Sequence, residues 1–214
     1  MSMRKLRRAI AAASLTVLLP TTSGAEVIDR ILAVVDRELI TMSDVVAAQR
    51  LGLAESPPGD DPTRRTLDAL IARQLELAEA NRYMPSEPTP AQIQDALAAI
   101  TSRFRTAQEL EEALVQTGLT AEQLRLRVRD DLRIEAYLNQ RFGAAVQPSE
   151  QEVANYYRTH AAELATAAGV PPLDDVRQAI RSRLAGTRRA ALVTEWLEGL
   201  RRRTEIADLY VSPR

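Results

Sequence analysis

The chain has 214 residues, with 28 basic and 29 acidic side chains, and 45% of its residues are hydrophobic while only 4% are aromatic. This length and composition suit a single helix-rich domain with a substantial apolar core. The chain has no cysteine, which excludes disulfides and lipoprotein attachment.

Residues 1–25 have the three parts of a secretory signal peptide. A basic start with three arginines and one lysine precedes the apolar stretch Ala9–Leu19, which is too short to span a bilayer. Small residues at Ser23–Ala25 predict cleavage after Ala25, and an uncleaved membrane anchor is the alternative. A secreted chain without cysteine favours the bacterial periplasm. We therefore predict a periplasmic protein whose residues 26–214 form one domain.

Cleavage makes the chain more acidic. Loss of four of the 28 basic residues, against 29 acidic ones, leaves a net charge of −5. A net acidic surface argues against nucleic acid as a partner. No stable membrane insertion is expected once the signal is removed.

The first strongly β-like stretch is Val27–Val35, whose β-branched and aliphatic residues predict a buried strand. Asp36-Arg37 is a plausible turn, and Leu39–Thr41 a short return strand. Ser43 is the predicted cap of a helix that begins at about Asp44.

The rest of the chain is predicted to be helical up to a terminal strand at Glu205–Val211. The 120–142 helix has apolar positions over half its circumference and is the predicted spine. In the last helix the apolar stripe changes face past Gly186, which indicates a bend or two packing partners. The predicted helices are 44–51, 63–82, one capped by Thr89, one from Thr106 to Gly118, 120–142, 149–164 and 174–203.

Pairing of the two ends completes the predicted fold. An isolated hairpin is marginally stable, so the terminal strand is expected to pair with the first hairpin. The predicted class is mainly α, a multi-helix domain with a small antiparallel sheet formed by the N-terminal hairpin and the C-terminal strand.

Five segments resemble, in the same order, the SurA-like periplasmic chaperones, secreted relatives of trigger factor. The most characteristic is AVVDRELITMSDV at Ala33–Val45, and the four others are helical: Leu67–Ala80, Leu119–Leu138, Pro148–Leu164 and Pro172–Ile206. The resemblance implies a trigger-factor-like peptide-binding domain. Residues 26–164 would form its N-terminal part, and residues 172–211 its closing helix and strand.

The sequence departs from this family at one place. In such relatives a parvulin isomerase domain lies between the last two matching segments, but here only Ala165–Pro171 separate them. Seven residues are too few for a folded domain. The resemblance therefore implies a chaperone core without the isomerase insert, and hence a protein that is not an enzyme.

The polar residues do not form a recognisable catalytic, metal or cofactor motif. The single His160 cannot make a histidine-based metal site or a triad and is expected to be solvated. Asp130-Asp131 lie among arginines, a pattern typical of an exposed, charge-stabilised helix. Asp60-Asp61 and Asp174-Asp175 precede helices, where carboxylates favour the positive end of the dipole. We therefore predict no catalytic residue, no metal ligand and no cofactor.

Binding of unfolded polypeptides is the predicted function. Large adaptable side chains near helix ends suit promiscuous apolar contacts. The clients implied by the resemblance are unfolded or partly folded exported proteins, above all outer-membrane proteins. Two alternatives are a peptidyl-prolyl isomerase and a dedicated structural subunit of one envelope partner, and homo-oligomerisation stays open. The candidate peptide-binding residues are Met42, Phe104, Tyr137, Phe142, Tyr156 and Tyr157.

Overall fold

The computed structural model describes residues 29–54, 59–165 and 169–212. These residues form eight helices and three short strands, which confirms the predicted mainly α class with a small antiparallel sheet. In chain order the elements are β1 Ile31–Val35, β2 Glu38–Thr41, α1 Met42–Arg50, α2 Pro62–Tyr83, α3 Pro90–Thr101, α4 Ala107–Thr117, α5 Ala121–Phe142, α6 Glu150–Thr159, α7 Ala161–Leu164, α8 Leu173–Arg203 and β3 Ile206–Asp208.

The two ends of the domain pair in the sheet, as predicted. The strand order is β2-β1-β3, and β1 is antiparallel to both neighbours. The turn between β1 and β2 is Asp36-Arg37, and the backbone N–H of Asp36 donates to the Glu205 carbonyl at 2.9 Å. At the other end of the pair, the N–H of Leu209 donates to the Leu32 carbonyl at 2.9 Å. Val27, Ile28 and the predicted signal peptide lie outside the described residues.

The predicted cap of α1 is wrong. Thr41, the last residue of β2, caps the helix, because its Oγ1 accepts from the Asp44 N–H at 3.3 Å. The Asp44 carboxylate accepts in return from the Thr41 N–H at 2.8 Å, which completes a capping box. The strand therefore runs directly into the helix, and Ser43 lies inside the first turn. The predicted caps Thr89 and Thr106 are confirmed. Thr120 and Ser149, predicted as the first residues of their helices, are N-caps as well.

Two hydrophobic clusters form the core, and α5 spans both of them. The first, which we call the sheet core, joins the sheet to α1, α2 and the C-terminal halves of α5 and α8. The second lies between α3, α4 and the N-terminal half of α5. Leu124 and Val128 of α5 belong to the second cluster, whereas Ile134 and Leu138 belong to the sheet core. These positions confirm α5 as the spine of the fold.

The change of apolar face along α8 reflects two packing partners. The helix is continuous from Leu173 to Arg203 and passes through Gly186. Its first half packs against α6, where Ile180 and Val153 are fully buried. Its second half places Trp196 and Leu200 in the sheet core.

The predicted helix 149–164 is divided in two. The backbone of His160 leaves the helical region, with φ −116° and ψ 24°, and separates α6 from α7. Its ring stacks on Tyr156 at a centroid distance of 3.9 Å. The imidazole Nδ1 lies 3.0 Å from the Tyr156 carbonyl, so the side chain forms part of the helix end.

Replacing Ala207 by proline is expected to destabilise the protein by about 1–2 kcal/mol. Ala207 is opposite Val34 in the register, and the alternation of hydrogen bonds along an antiparallel pair directs its N–H towards β1. Urea denaturation followed by circular dichroism measures the loss. Ala207→Val is the matched control, because it keeps the N–H at an exposed position and favours a strand. Equal stability of the two variants would contradict the closing role of β3.

Candidate peptide-binding clefts

Three of the six candidate residues predicted from the sequence pack in or against the sheet core. Tyr137 is only 3% exposed and belongs to the core itself. Phe142 and Met42 are half-buried and pack against that core. Phe142 also meets Trp196 edge-to-face, at a centroid distance of 5.8 Å.

The other three candidates lie elsewhere. Phe104 packs against the second cluster after the end of α3. Tyr156 stacks on His160, and the hydroxyl of Tyr157 donates to the Pro171 carbonyl at 2.9 Å. The two tyrosines thus support the corner between α6 and α8. The six side chains do not converge on one surface.

An apolar groove stays open between the spine and the last helix. It has a volume of about 270 Å³ and lies between the C-terminal end of α5, the turn that follows it, and the middle of α8. We call it the α5–α8 groove. Its lining residues are Leu138, Asn139, Phe142, Gly143, Val146, Gln147, Ala185, Gly186 and Arg189.

Two glycines contribute to the shape of this groove. At Gly186 a Cβ would meet no atom within 4 Å, so the absence of a side chain there leaves free space beside α8. At Gly143 a Cβ would lie 2.5 Å from the Asn139 carbonyl oxygen, so no larger residue fits without a backbone shift. The close turn after α5 brings Val146, which is 7% exposed, to the groove floor.

Arginines of α8 tie the rim of the groove to its opposite side. Arg189 pairs with Glu135 at 2.8 Å and donates to the Asn139 side-chain oxygen at 3.0 Å. Arg188 donates to the Gln147 carbonyl at 3.2 Å. An apolar floor inside a polar rim is the usual anatomy of a protein-binding surface.

A second cleft lies between α2 and α5, and we call it the α2–α5 cleft. Its volume is about 510 Å³. One part of its wall is apolar, formed by Leu53, Ala54, Ala69, Leu70, Ile134 and Leu138. The other part is charged, formed by Arg73, Glu76, Arg127, Asp131 and Glu135.

The charged wall takes part in two cross-helix ion pairs, of Arg73 with Asp131 and of Glu135 with Arg189 of α8. Two further charged groups of the wall, Glu76 and Arg127, have no ion pair within the described ranges. Arg73 of α2 binds Asp131 of α5 with an Nε–Oδ1 distance of 2.6 Å. Burial raises the pKa of the Glu76 carboxyl to about 7, and the negative charges of Asp131 and Glu135 act in the same direction. Burial lowers the pKa of the Arg127 guanidinium, and the nearby Arg73 lowers it further.

The sequence predicted that the charged residues of α5 pair with one another on an exposed surface. The structure shows this for only some of them, because others pair with residues outside α5. Asp131 joins α5 to α2, as described above. Arg133 is only 8% exposed and lies 2.9 Å from a carboxylate oxygen of Glu87. Asp130, by contrast, has its ion pairs within α5, with Arg129 and Arg133.

Sequence reasoning missed both Arg127 and Glu76. At about 100° per residue, Arg127 lies between Ile134 and Leu138 on the apolar face of α5, which is a detectable signal. Glu76 lies off the apolar stripe of α2 and gives no such signal. Within the described ranges, no group of three or more histidine or acidic side chains is placed to hold a metal ion.

Comparison with known proteins gives partial matches to curated relatives. No protein-family model matches the chain. The chaperone SurA of Bordetella pertussis is 30% identical over 134 residues, which are 59% of this chain and 26% of that protein. The chaperone SurA of Saccharophagus degradans is 28% identical over 151 residues, 64% of this chain and 34% of that protein. This chain is similar to SurA-like proteins.

A further relative has a different name. The putative peptidyl-prolyl cis-trans isomerase NifM of Azotobacter vinelandii is 29% identical over 120 residues, 54% of this chain and 41% of that protein. The chain thus spans between 26% and 41% of the length of these three relatives. No helix in the described part of the chain has the length and hydropathy needed to cross a membrane.

Proposed function

We propose that this protein is a periplasmic chaperone-like domain that holds unfolded or partly folded exported polypeptides, including outer-membrane proteins, without catalysis. The observation that carries the proposal is the apolar α5–α8 groove, which stays open between two helices of a well-packed core. The names of the SurA relatives support a chaperone-like role. The basic and apolar pattern of residues 1–25 supports export, with cleavage after Ala25.

The size of the groove fits transient side-chain anchoring. Ligand pockets for small molecules are typically about 300–1,000 Å³, so a groove of 270 Å³ accommodates one or two apolar side chains. Burying one such side chain contributes about 1.5–3 kcal/mol before ordering costs. Weak and rapidly reversible binding follows, as holding a client for later release requires. Of the six candidates from the sequence, Phe142 lines this groove, and a role in peptide binding stays a prediction for all six.

The short connection between α7 and α8 supports the absence of a parvulin insert. α7 ends at Leu164 and α8 begins at Leu173, so eight residues join them, too few for a folded domain. The NifM relative favours isomerase activity as the alternative function. A proline-limited refolding assay separates the two, since clear acceleration of refolding would overturn our proposal.

Filling the groove tests the proposed binding site. Gly186→Trp adds an indole at the groove wall, where a Cβ meets open space, and is expected to weaken client binding about tenfold, the worth of one buried side chain. Gly186→Ala is the matched control, since it improves helix propensity and leaves most of the groove open. The measurement is suppression of aggregation of an unfolded outer-membrane barrel protein by residues 26–214.

Three outcomes bear on the proposal. Full activity of the alanine variant with a clear loss in the tryptophan variant would support it. No suppression by the unsubstituted protein would refute the chaperone role. Equal activity of both variants would place client binding outside the α5–α8 groove.

A further inference from the structure

The α2–α5 cleft contains a cation with unused hydrogen-bond donors. The Nε and Nη2 atoms of Arg127 are buried and make no hydrogen bond to any residue that the structure describes. Both N–H groups lie on the same edge of the planar guanidinium, the edge that can bind the two oxygens of one carboxylate. Buried charged donors without an acceptor are unfavourable, so a ligand that supplies the acceptor is favoured.

Several acidic side chains lie in the same cleft or influence the pKa of Arg127. All but one of them accept hydrogen bonds from donors other than Arg127. The exception is Glu76, which takes part in no ion pair or hydrogen bond within the described ranges. The held ones are Asp131 with Arg73 at 2.6 Å, Glu135 with Arg189 at 2.8 Å, and Asp44 with the backbone N–H of Thr41 at 2.8 Å.

The apolar wall beside Arg127 restricts the kind of carboxylate that fits. Leu53, Leu70 and Ile134 line the same space, which at about 510 Å³ is larger than a carboxylate needs. A suitable ligand therefore carries an apolar group close to its carboxylate. The last residue of a polypeptide has this arrangement, because its carboxylate and its side chain share one carbon. The side chain of an internal aspartate or glutamate has no apolar branch.

We propose that the α2–α5 cleft binds the C-terminal carboxylate of a polypeptide whose last side chain is apolar, with Arg127 as its bidentate donor. The assignment rests on the proposed function, because it takes unfolded polypeptides as ligands. The guanidinium edge is covered in this structure, so binding requires it to turn into the cavity that Arg127 already lines.

Glu76 makes this binding depend on pH. Its pKa of about 7 means that the Glu76 carboxyl is mostly neutral below pH 7. The Arg73–Asp131 and Arg189–Glu135 ion pairs are each neutral overall, so Arg127 then provides the net charge of the cleft. Above pH 7 the ionised Glu76 adds a negative charge to the cleft, which disfavours entry of another carboxylate. Affinity is therefore expected to fall as pH rises through 7, and Glu76→Gln removes that fall. The other charged groups facing Glu76 are Arg73, Asp131 and Glu135 of the cleft and Arg189 of α8.

Fluorescence anisotropy with two labelled hexapeptides tests the site. Both end in leucine, one with a free carboxylate and one with a C-terminal amide. At pH 6.5 we expect the acid to bind residues 26–214 about tenfold more tightly or better, as for a charge-assisted hydrogen-bonded pair. Arg127→Met is expected to abolish this preference, and to fold, because it removes a buried charge that has no partner. Arg127→Lys keeps the charge but not the planar fork and should retain only part of the preference.

Several results would overturn the site. These are equal binding of the acid and the amide to the unsubstituted protein, no binding of either peptide, or an acid preference that survives in folded Arg127→Met. Unlabelled hexanoate, added as a competitor of the labelled peptide acid, distinguishes a peptide C-terminus from a free aliphatic carboxylate. If hexanoate competes as strongly as the unlabelled peptide acid, the cleft binds free aliphatic carboxylates, against our proposal. If the acid and the amide bind equally and Gly186→Trp weakens both, the α5–α8 groove stands and only this site falls.

Discussion

Replacing Trp196 by alanine is expected to destabilise the protein by about 3–5 kcal/mol, the usual cost of removing a large buried aromatic side chain. Trp196 is 9% exposed, and its ring lies 5.8 Å from the ring centroids of both Tyr137 and Phe142. The guanidinium carbon of Arg141 lies 5.5 Å from its ring centroid. The substitution therefore removes contacts that join α8 to α5 in the sheet core.

The indole N–H of Trp196 offers a matched control. Nε1 is buried and makes no hydrogen bond to a described residue, so part of the stabilisation from the ring is offset. Trp196→Phe keeps an aromatic ring and removes this donor, and is expected to cost about 1 kcal/mol or less. Because Trp196 is the only tryptophan, urea denaturation should be followed by far-ultraviolet circular dichroism. A cost for Trp196→Ala no larger than that for Trp196→Phe would contradict the role of the ring in joining the helices.

Replacing Glu76 by glutamine is expected to stabilise the protein at pH 8 by about 1–3 kcal/mol, and to have little effect at pH 4.5. The folded-state pKa of about 7 lies above the ordinary value of 4.5. The native state therefore binds more protons than the unfolded state between these values, and stability falls as pH rises from 4.5 to 7. The full shift corresponds to about 3 kcal/mol, and partial exposure of the side chain reduces it.

Urea denaturation of both proteins at pH 4.5 and pH 8, followed by Trp196 fluorescence, measures this effect. The informative quantity is the difference between the two stability changes, because the other titrating groups contribute equally to both proteins and cancel. Glu111→Gln, at an exposed position of α4, controls for the loss of one negative charge. An equal effect of Glu76→Gln at both pH values would show that its carboxyl is not held neutral in the cleft.

Much of the secondary structure was predictable because its signals are local. Thr89, Thr106, Thr120 and Ser149 cap helices through hydrogen bonds to backbone groups three residues away, within the reach of a sequence pattern. The α1 cap was misplaced by two residues. Both Thr41 and Ser43 can cap a helix, and the choice between them depends on where the pairing of β2 with β1 ends.

Candidate site residues were harder to predict, because residue type alone does not distinguish a binding side chain from a core side chain. Tyr137 has the chemistry of a promiscuous contact, yet Trp196, 59 positions further along the chain, helps to cover it. Val146 was not a candidate, and the turn after Gly143 brings it to the groove. Whether a side chain is buried in the core or lines a groove therefore depends on contacts between segments that are distant in the sequence.

By itself the sequence determined the helical class, most helix limits, the spine and the pairing of the two terminal segments, because hydrophobic periodicity and capping act over a few residues. The tertiary structure alone decided that a groove stays open between α5 and α8, and that Glu76 of α2 and Arg127 of α5 line one cleft. The ionisation free energies of Glu76 and Arg127 depend on burial and on neighbouring charges, and some of these charges belong to residues about 50 positions away in the sequence.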